Sequence, residues 1–382
     1  DAFNGLAVTG NRITAVGAPA VTDPASLGGI RENAIDVASD ILIDGNVIEG
    51  GGRFGADGYG IRSMSLSSAS TSVVISNNTI SGVNHGVWVD GAITHAGATG
   101  VVIASNNLYG NGNGIRVYGS YIEPLSPIAQ FNRLVGNTLG INNQAGTGVS
   151  VDAANNWWGC NGGPGATVGG GCAVTANGIY GDVVAAPWLT LGIAADAVSI
   201  TQDSSTGIDA ALRDGGSAIA ADYPDVGSVG FASSLPSVSP ASTGLVDGEA
   251  STTFTGDVQG GAHISATYDN QTVSTLVAVT DAAGTQILVQ STDFTNDMPT
   301  AFDNDYTRIN NAVQVLTAGA TLALEGTFDW RPQSAGAVND YAFQSWYAGS
   351  DGLVGNADDW SIQLPVGNNL NNITITSMDQ DN

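Results

Sequence analysis

Residues 8–13 read VTGNRI: an apolar residue, two small or polar residues, an asparagine, any residue and a second apolar residue. The same pattern returns as IDGNVI (43–48), ISNNTI (75–80), IASNNL (103–108) and LVGNTL (134–139). The asparagines of the five copies are Asn11, Asn46, Asn78, Asn106 and Asn137, so successive copies are 35, 32, 28 and 31 residues apart. Self-similarity at a spacing of this size indicates a repeat architecture.

A second short pattern lies between these copies. It reads GIR (60–62), GVW (86–88), GIR (114–116) and GVS (148–150). Apolar and polar residues alternate in both patterns, and Gly and Asn separate them, so each repeat is predicted to hold two or three short strands. The repeats lack the long segments of 3.6-residue periodicity that a helical repeat needs.

Short strands at this spacing predict a parallel β-helix. A coil of three strands cannot bury its inner face alone, but stacked coils pair their backbones and align their inward Val, Ile and Leu side chains. Asparagine tolerates the left-handed turn conformation, and at one fixed turn of every coil it can form a ladder of side chains. We therefore predict that the five repeat asparagines form such a ladder.

The five asparagine repeats, followed by NNWWGC (155–160) and GGP (162–164), resemble the pectin-lyase-like, right-handed parallel β-helix proteins of bacterial cell surfaces. The resemblance covers residues 1–188. It implies a right-handed β-helix whose open end is covered by the two Trp residues. It does not imply one function, because lyases, hydrolases, epimerases, adhesins and structural fibres all use this fold.

The repeat pattern stops at Thr190, and Val, Ser and Thr alternate from there through Val279. Strands are predicted at 229–240, 248–254 and 262–268. Residues 189–280 resemble the Ig-like β-sandwich domains of the invasin and intimin type, which implies a spacer.

Residues 281–382 change again. Apolar residues at helical spacing predict a helix over 306–316, and a strand follows over 321–328. Segments 360–362 and 370–375 are predicted to be the first rungs of a second β-helix. This order resembles the amino-terminal cap of a β-helix, in which an amphipathic helix covers the first coil. The fold class predicted for the whole chain is all-β.

The composition excludes several classes of partner. Nine basic residues, all of them Arg, stand against 35 acidic residues, and the net charge is −26. A chain this acidic has no basic patch for nucleic acid or anionic lipid. Its apolar runs fall short of the ~20 residues that a membrane-spanning helix needs. No signal peptide is visible, and Asp1 is interpreted as a mature or internal start.

The chain has two cysteines, Cys160 and Cys172, with eleven residues between them. One interpretation is a local disulfide in an extracellular chain, which would contribute roughly 2–3 kcal/mol by closing a short loop. The other interpretation is a pair of free, partly buried thiols.

Clustered carboxylates mark two candidate calcium sites, because hard cations prefer oxygen ligands. The spacing of the first cluster is not that of an EF-hand, so the alternative is an acidic surface turn. The first candidate contains Asp351, Asn356, Asp358 and Asp359, and the second contains Asp297, Asp303 and Asp305.

Arg62, Trp88 and Arg116 occupy equivalent positions on successive coils, so we expect them to stack as Arg–Trp–Arg with cation–π contacts. The stack is either a strip that binds glycans or a ladder that only stabilises the coils. The sequence has no nucleophile elbow, phosphate loop, dinucleotide fingerprint or zinc spacing, so no catalytic residue is predicted.

These observations favour an extracellular or cell-surface structural subunit of a bacterial fibre, sheath or adhesin. The expected partners are copies of the chain joined head-to-tail. The rung around Ile373 and Ile375 would stack on the rung around Val8 and Ile13 of the next copy, and heterologous contacts of this kind propagate into filaments. The alternative is that residues 1–382 are one window of a longer repetitive polypeptide.

Two other functions stay open at this point. One is a polysaccharide lyase, hydrolase or epimerase that uses the β-helix groove. The other is an adhesin that binds glycans without turnover through the Arg–Trp–Arg strip.

Overall fold

The computed structural model describes residues 6–14, 28–32, 40–51, 58–64, 72–90, 100–119, 127–146, 148–165, 178–215, 218–235, 238–290, 305–316, 320–325, 341–347, 360–365 and 374–377. Within these ranges the chain is all-β apart from one helix.

The first part of the chain is a parallel β-solenoid, as the repeats predict, and its strands form three sheets. Sheet A contains β1 (Leu6–Thr9), β4 (Ile41–Asp44), β7 (Ser72–Ser76), β10 (Gly100–Ala104), β13 (Ile128–Gln130), β16 (Val151–Asp152) and β18 (Val183–Val184). Sheet B contains β2 (Arg12–Thr14), β5 (Val47–Glu49), β8 (Thr79–Ser81), β11 (Asn107–Tyr109) and β14 (Arg133–Val135). Sheet C contains β3 (Gly28–Glu32), β6 (Tyr59–Met64), β9 (His85–Asp90), β12 (Asn113–Gly119), β15 (Leu139–Ala145) and β17 (Gly178–Tyr180).

The core of the solenoid consists of aliphatic columns. Successive side chains of a β-strand point to opposite faces of the sheet, so every second side chain faces the interior. In sheet A, Ile43, Ile75 and Ile103 are register partners and fully buried. Sheets B and C contribute equivalent columns. Burying one such side chain contributes about 1.5–3 kcal/mol, so most of the stability of the solenoid comes from its stacked columns.

A column of glycines explains the second sequence pattern. An added Cβ at Gly60 would lie 2.8 Å from the carbonyl oxygen of Gly86, and one at Gly86 would lie 2.5 Å from that of Gly114. A side chain at these positions therefore collides with the backbone of the next coil. The structure continues this column with Gly140 and not with Gly148, which follows β15. The GVS copy at 148–150 was therefore misassigned, and the equivalent strand residues are 140–142.

Two sheets that share one apolar core follow the solenoid. The first contains β19 (Thr190–Ala195), β21 (Ser205–Arg213), β25 (Glu249–Thr255) and β23 (Val238–Ser239), and the second contains β20 (Ser199–Thr201), β27 (Gln271–Thr280), β26 (Gly260–Tyr268), β22 (Ser228–Ser233) and β24 (Ser242–Gly244). All pairs are antiparallel except β20 with β27.

The last part contains the helix α1 (Asp305–Val315), where the apolar spacing predicts it. A parallel sheet consists of β28 (Gln286–Gln290), β29 (Thr321–Glu325) and β32 (Thr374–Ser377). Strand β31 (Trp360–Pro365) pairs antiparallel with β30 (Tyr341–Tyr347). The prediction that residues 360–362 form a parallel rung is therefore wrong, because this segment pairs with a nearby aromatic-rich strand.

The solenoid and the two-sheet unit meet at two consecutive tryptophans. Trp158 packs in the solenoid core, whereas Trp157 packs in the core of the two-sheet unit. The expectation that both tryptophans cover the solenoid end is therefore corrected: only Trp158 packs there. The side chains of neighbouring residues in an extended backbone point in opposite directions. Trp157 Nε1 donates a hydrogen bond to Asp269 Oδ2 at 2.7 Å, and Asp269 also forms an ion pair with Arg133 of β14.

Two buried tyrosines complete this junction. Tyr268 lies beside the Trp157 ring, with 5.9 Å between ring centroids, and its hydroxyl donates to the carbonyl oxygen of Val226 at 2.8 Å. Burial raises the pKa of Tyr268 to about 12, and Asp269 adds to the shift. Burial likewise raises the pKa of Tyr223 well above its usual value. Both hydroxyls therefore stay neutral at ordinary pH, beside the Arg133–Asp269 ion pair.

The glycine column generates a stability prediction. We expect Gly86→Ala to lower the free energy of unfolding by about 1–3 kcal/mol, because the new methyl group collides with a backbone oxygen that cannot move alone. The matched control is Gly146→Ala, where an added Cβ meets no atom within 4 Å. Equilibrium denaturation of both variants checks this, and equal stabilities would contradict the role of the column.

Candidate functional site

An asparagine ladder runs along the solenoid at the turn between sheets A and B. In each rung the backbone N and the side-chain Nδ2 of one asparagine both donate to Oδ1 of the asparagine in the next coil, at 2.8–3.0 Å. The ladder consists of Asn11, Asn46, Asn78, Asn106, Asn132 and Asn156.

Each interior ladder amide is fully used. Asn78 Nδ2, for example, also lies 2.9 Å from the carbonyl oxygen of Ile43 in the preceding coil and 2.8 Å from that of Ser76. The residue before each ladder asparagine has a positive φ, which places the side chain inside the turn. These corner residues are Gly10, Gly45, Asn77, Ser105, Phe131 and Asn155.

The structure places Asn137 outside this ladder, which corrects the predicted fifth member. Asn137 follows β14 and belongs to a second row, in which its Oδ1 accepts from the backbone N of Asn111 at 3.0 Å. The true members, Asn132 and Asn156, lie in AQFNRL (129–134) and AANNWW (153–158). The repeat pattern does not mark these two asparagines, because alanine takes the first apolar position in both segments. Ala129 is nonetheless fully buried and in register with Ile103.

The structure brings Arg62, Trp88 and Arg116 together as expected. They are register partners on β6, β9 and β12. The guanidinium carbon of Arg62 lies 3.9 Å from the Trp88 ring centroid, and that of Arg116 lies 4.7 Å from it. Trp88 is 6% exposed. These three residues are named the arginine–tryptophan strip.

Polar and aromatic neighbours hold the strip in place. Arg62 forms an ion pair with Asp90, and Arg116 donates to Gln144 Oε1 at 3.1 Å and lies 2.8 Å from His85 Nε2. The Arg116 guanidinium also lies 5.0 Å from the ring of Tyr118, which is 47% exposed. Trp88 Nε1 and Arg116 Nε are buried, and neither has a hydrogen-bond partner among the residues that the structure describes. The strip therefore consists of two guanidinium groups stacked on a buried ring, with the exposed ring of Tyr118 beside them.

The predicted assembly residues lie at two strand edges. Among the described strands, β1, β2 and β3 each have a neighbour on one side only. Val8 of β1 and Ile13 of β2 are half-buried, and Leu6 is 45% exposed. Ile375 lies in β32, at the edge of its parallel sheet, whereas Ile373 lies outside the described residues.

Most predicted cation ligands cannot be compared with the structure. Asp305 is the first residue of α1. The described part of the chain holds no group of three or more His, Cys, Asp or Glu residues suited to a metal ion. Calcium binding stays a prediction. The remaining candidate ligands, all outside the described residues, are Asp297, Asp303, Asp351, Asn356, Asp358 and Asp359.

The predicted disulfide also stays a prediction. Cys160 is buried at the end of the solenoid and is not a free thiol. Cys172 lies outside the described residues.

No family model and no curated protein matches this sequence. Among solved structures, domains 4 and 5 of the S-layer protein SbsC match with 21% identity, over 28% of this chain and 69% of that chain. The TM-score is 0.19, so the match carries no argument about fold or function. The helix α1 has eleven residues, and no helix in the described ranges is long and apolar enough to cross a membrane.

The corrected ladder generates a second prediction. We expect Asn132→Ala to destabilise the protein by roughly 2–4 kcal/mol, because it leaves the buried backbone N–H of Asn106 without its acceptor and removes the side-chain bonds of Asn132 to Asn106 and Asn156. The matched control, Asn77→Gly, changes an exposed corner asparagine to a residue that accepts the positive φ, and we expect less than about 0.5 kcal/mol. Chemical denaturation gives the free energy of unfolding of both variants. An unchanged free energy of unfolding for Asn132→Ala would contradict its role in the ladder.

Proposed function

We propose that this protein is an extracellular structural subunit of a bacterial surface fibre, sheath or adhesin, with no catalytic role. The parallel solenoid is the observation that carries the proposal, because each of its coils is stabilised by pairing with the next. Strand edges present rows of unpaired N–H and C=O groups, and an exposed parallel edge is a template for another strand. A stack of coils that pair in this way is suited to extension along its own axis.

The proposed assembly is head-to-tail. The parallel sheet that contains β28, β29 and β32 has β32 at one edge, and we propose that it begins a second β-helix capped by α1. Stacking this edge on β1 of the next copy would continue the pairing from chain to chain. In this proposal the two-sheet unit between them is an Ig-like spacer.

The chemistry of the chain fits an exposed fibre. A net charge of −26 keeps the surface hydrated and makes sideways contacts between copies unfavourable at low salt. The Cys160–Cys172 disulfide and calcium held by Asp351, Asn356, Asp358 and Asp359 are proposed to stiffen the subunit. Neither is required for the backbone pairing itself.

Electron microscopy of material purified from its source without denaturant tests the assembly. We expect filaments with one 382-residue subunit per axial repeat. Val8→Asp should raise the critical concentration for filament formation at least about tenfold, because it places a charge at the inward face of the edge strand. Ala7→Asp, on the outward face of the same strand, is the matched control. Discrete monomers at all concentrations would contradict the proposal.

Glycan binding is a second candidate, favoured by the arginine–tryptophan strip. Sugars pack their apolar faces on exposed aromatic rings and bond to charged groups, and the exposed Tyr118 ring lies beside the Arg116 guanidinium of the strip. Contact with the buried Trp88 ring also holds the Arg62 and Arg116 guanidinium groups in place, which lowers the entropy lost on binding. In this proposal the subunit attaches the fibre to a polysaccharide without turnover.

A panel of neutral and acidic polysaccharides tests this second candidate. Arg116→Gln should weaken saturable binding at least about tenfold, whereas Tyr180→Ala, which removes a 58% exposed ring from the same sheet, should leave it unchanged. If both variants bind as tightly as the unmodified chain, the glycan does not bind at the arginine–tryptophan strip. Release of sugar fragments, lost in Arg116→Gln, would instead favour a polysaccharide-active enzyme.

A further inference from the structure

The solenoid and the two-sheet unit are joined through a buried carboxylate. Asp269 lies in the turn between β26 and β27, at a positive φ of 50°. It accepts hydrogen bonds from Trp157 Nε1 at 2.7 Å and from Arg133 Nε at 3.1 Å. The side chains of the Arg133–Asp269 ion pair are 15% and 10% exposed. Both charges are therefore largely withdrawn from water at the boundary between the two units.

The solenoid holds the Arg133 guanidinium in one position. Arg133 Nη1 donates to Asn107 Oδ1 of β11 at 2.9 Å, and the guanidinium lies 5.8 Å from the centroid of the Tyr109 ring. Burial lowers the pKa of Arg133, but the hydrogen bond and the charge of Asp269 outweigh burial, so the pKa lies above its ordinary value. The guanidinium therefore stays charged, and it relies on a carboxylate that belongs to the other unit.

Apolar side chains of the solenoid complete the boundary. Trp157 is fully buried in the core of the two-sheet unit, and Phe131 and Val135 pack against the same core. Burial of apolar surface stabilises the contact, but the hydrophobic effect has no preferred direction. These side chains can therefore hold the two units together without selecting a single orientation.

The chain that crosses the boundary is bonded on both sides of it. Leu189, which is buried in the two-sheet core, donates from its backbone N to the carbonyl oxygen of Asn156 at 3.0 Å. Asn161 Nδ2 donates to the carbonyl oxygen of Leu191 in β19 at 2.9 Å, and its backbone N donates to Gln271 Oε1 of β27 at 2.9 Å. The solenoid end therefore contacts both sheets, whereas a hinge leaves a few residues free to change their backbone angles.

We propose that the Arg133–Asp269 ion pair fixes the orientation of the two-sheet unit on the solenoid, so that the two units move as one rigid body. Domains of one chain move relative to each other by default unless a large apolar interface holds them. A buried ion pair adds little net stability, but a buried charge that loses its partner is strongly unfavourable. A rotation that separates Asp269 from Arg133 creates two such charges. The inference goes beyond the proposed function, because it does not depend on self-assembly.

The test compares Asp269→Asn with Asp247→Asn in the full chain. Both aspartates lie in turns of the two-sheet unit, with φ values of 50° and 49°, and Asp247 is exposed. Asparagine tolerates this backbone conformation, so each variant removes one charge without straining its turn. Asp247→Asn should match the unmodified chain in every measurement.

Hydroxyl-radical footprinting read by mass spectrometry measures whether the boundary opens. Asp269→Asn should raise the oxidation rate of Trp157 at least about tenfold, because the Arg133 charge is left without its partner and the boundary admits water. The internal references are Leu108 in the solenoid core and Phe254 in the two-sheet core, both fully buried. Their oxidation rates should not change, because each unit stays folded.

A second measurement separates orientation from stability. Spin labels at Leu42 and Val246, which are 38% and 56% exposed, give the distribution of distances between the two units. The unmodified chain should show one narrow distribution. The double variant Arg133→Met/Asp269→Asn leaves neither charge unmatched, so Trp157 should stay protected while the distance distribution broadens.

Three results would overturn the inference. A broad distance distribution in the unmodified chain would mean that the boundary is a hinge. Unchanged oxidation of Trp157 in Asp269→Asn would mean that apolar contacts alone keep the boundary closed. A narrow distribution in the double variant would mean that the ion pair does not set the orientation, and this comparison also applies if a thermal melt shows that Asp269→Asn does not fold.

Discussion

The hydrogen bond between one coil and the next is the interaction on which this molecule depends. A single coil has three short strands and an apolar inner face that it cannot cover, so it is stable only when a neighbour pairs with it. The asparagine ladder adds two side-chain bonds to every such contact. The glycine column brings the backbones of sheet C together without interference. Aliphatic burial provides most of the stability, and these two columns fix the register in which it occurs.

The same interaction explains which features were predictable from the sequence. Coils, inward columns and the stacking of Arg62, Trp88 and Arg116 follow from periodicity, because equivalent positions in a solenoid are neighbours in space. The sequence pattern does not identify Asn132, the fifth ladder asparagine, because the first apolar position of its repeat is the small residue Ala129. The backbone geometry at Phe131 and Asn132 nonetheless repeats that of earlier coils. A pattern that requires a large aliphatic residue at the first position misses the coils that have alanine there.

Features that depend on contacts distant in sequence could not be predicted. The ion pair between Arg133 and Asp269 joins residues 136 positions apart, and nothing local in either segment marks the other as its partner. The opposite orientations of Trp157 and Trp158 follow from an extended backbone, but only the structure identifies two separate cores on its two sides. The pairing of β31 with β30 likewise depends on a competition between possible partners.

The spacing of the ladder asparagines has a consequence of its own. With Asn132 and Asn156 as the last members, the intervals along the ladder are 35, 32, 28, 26 and 24 residues, so the coils shorten steadily toward the two-sheet unit. The rise from rung to rung is set by strand pairing and is the same for a long coil and a short one. Evolution can therefore lengthen or trim the outer segments of a coil, and change what the surface offers, while the pitch of the stack stays constant.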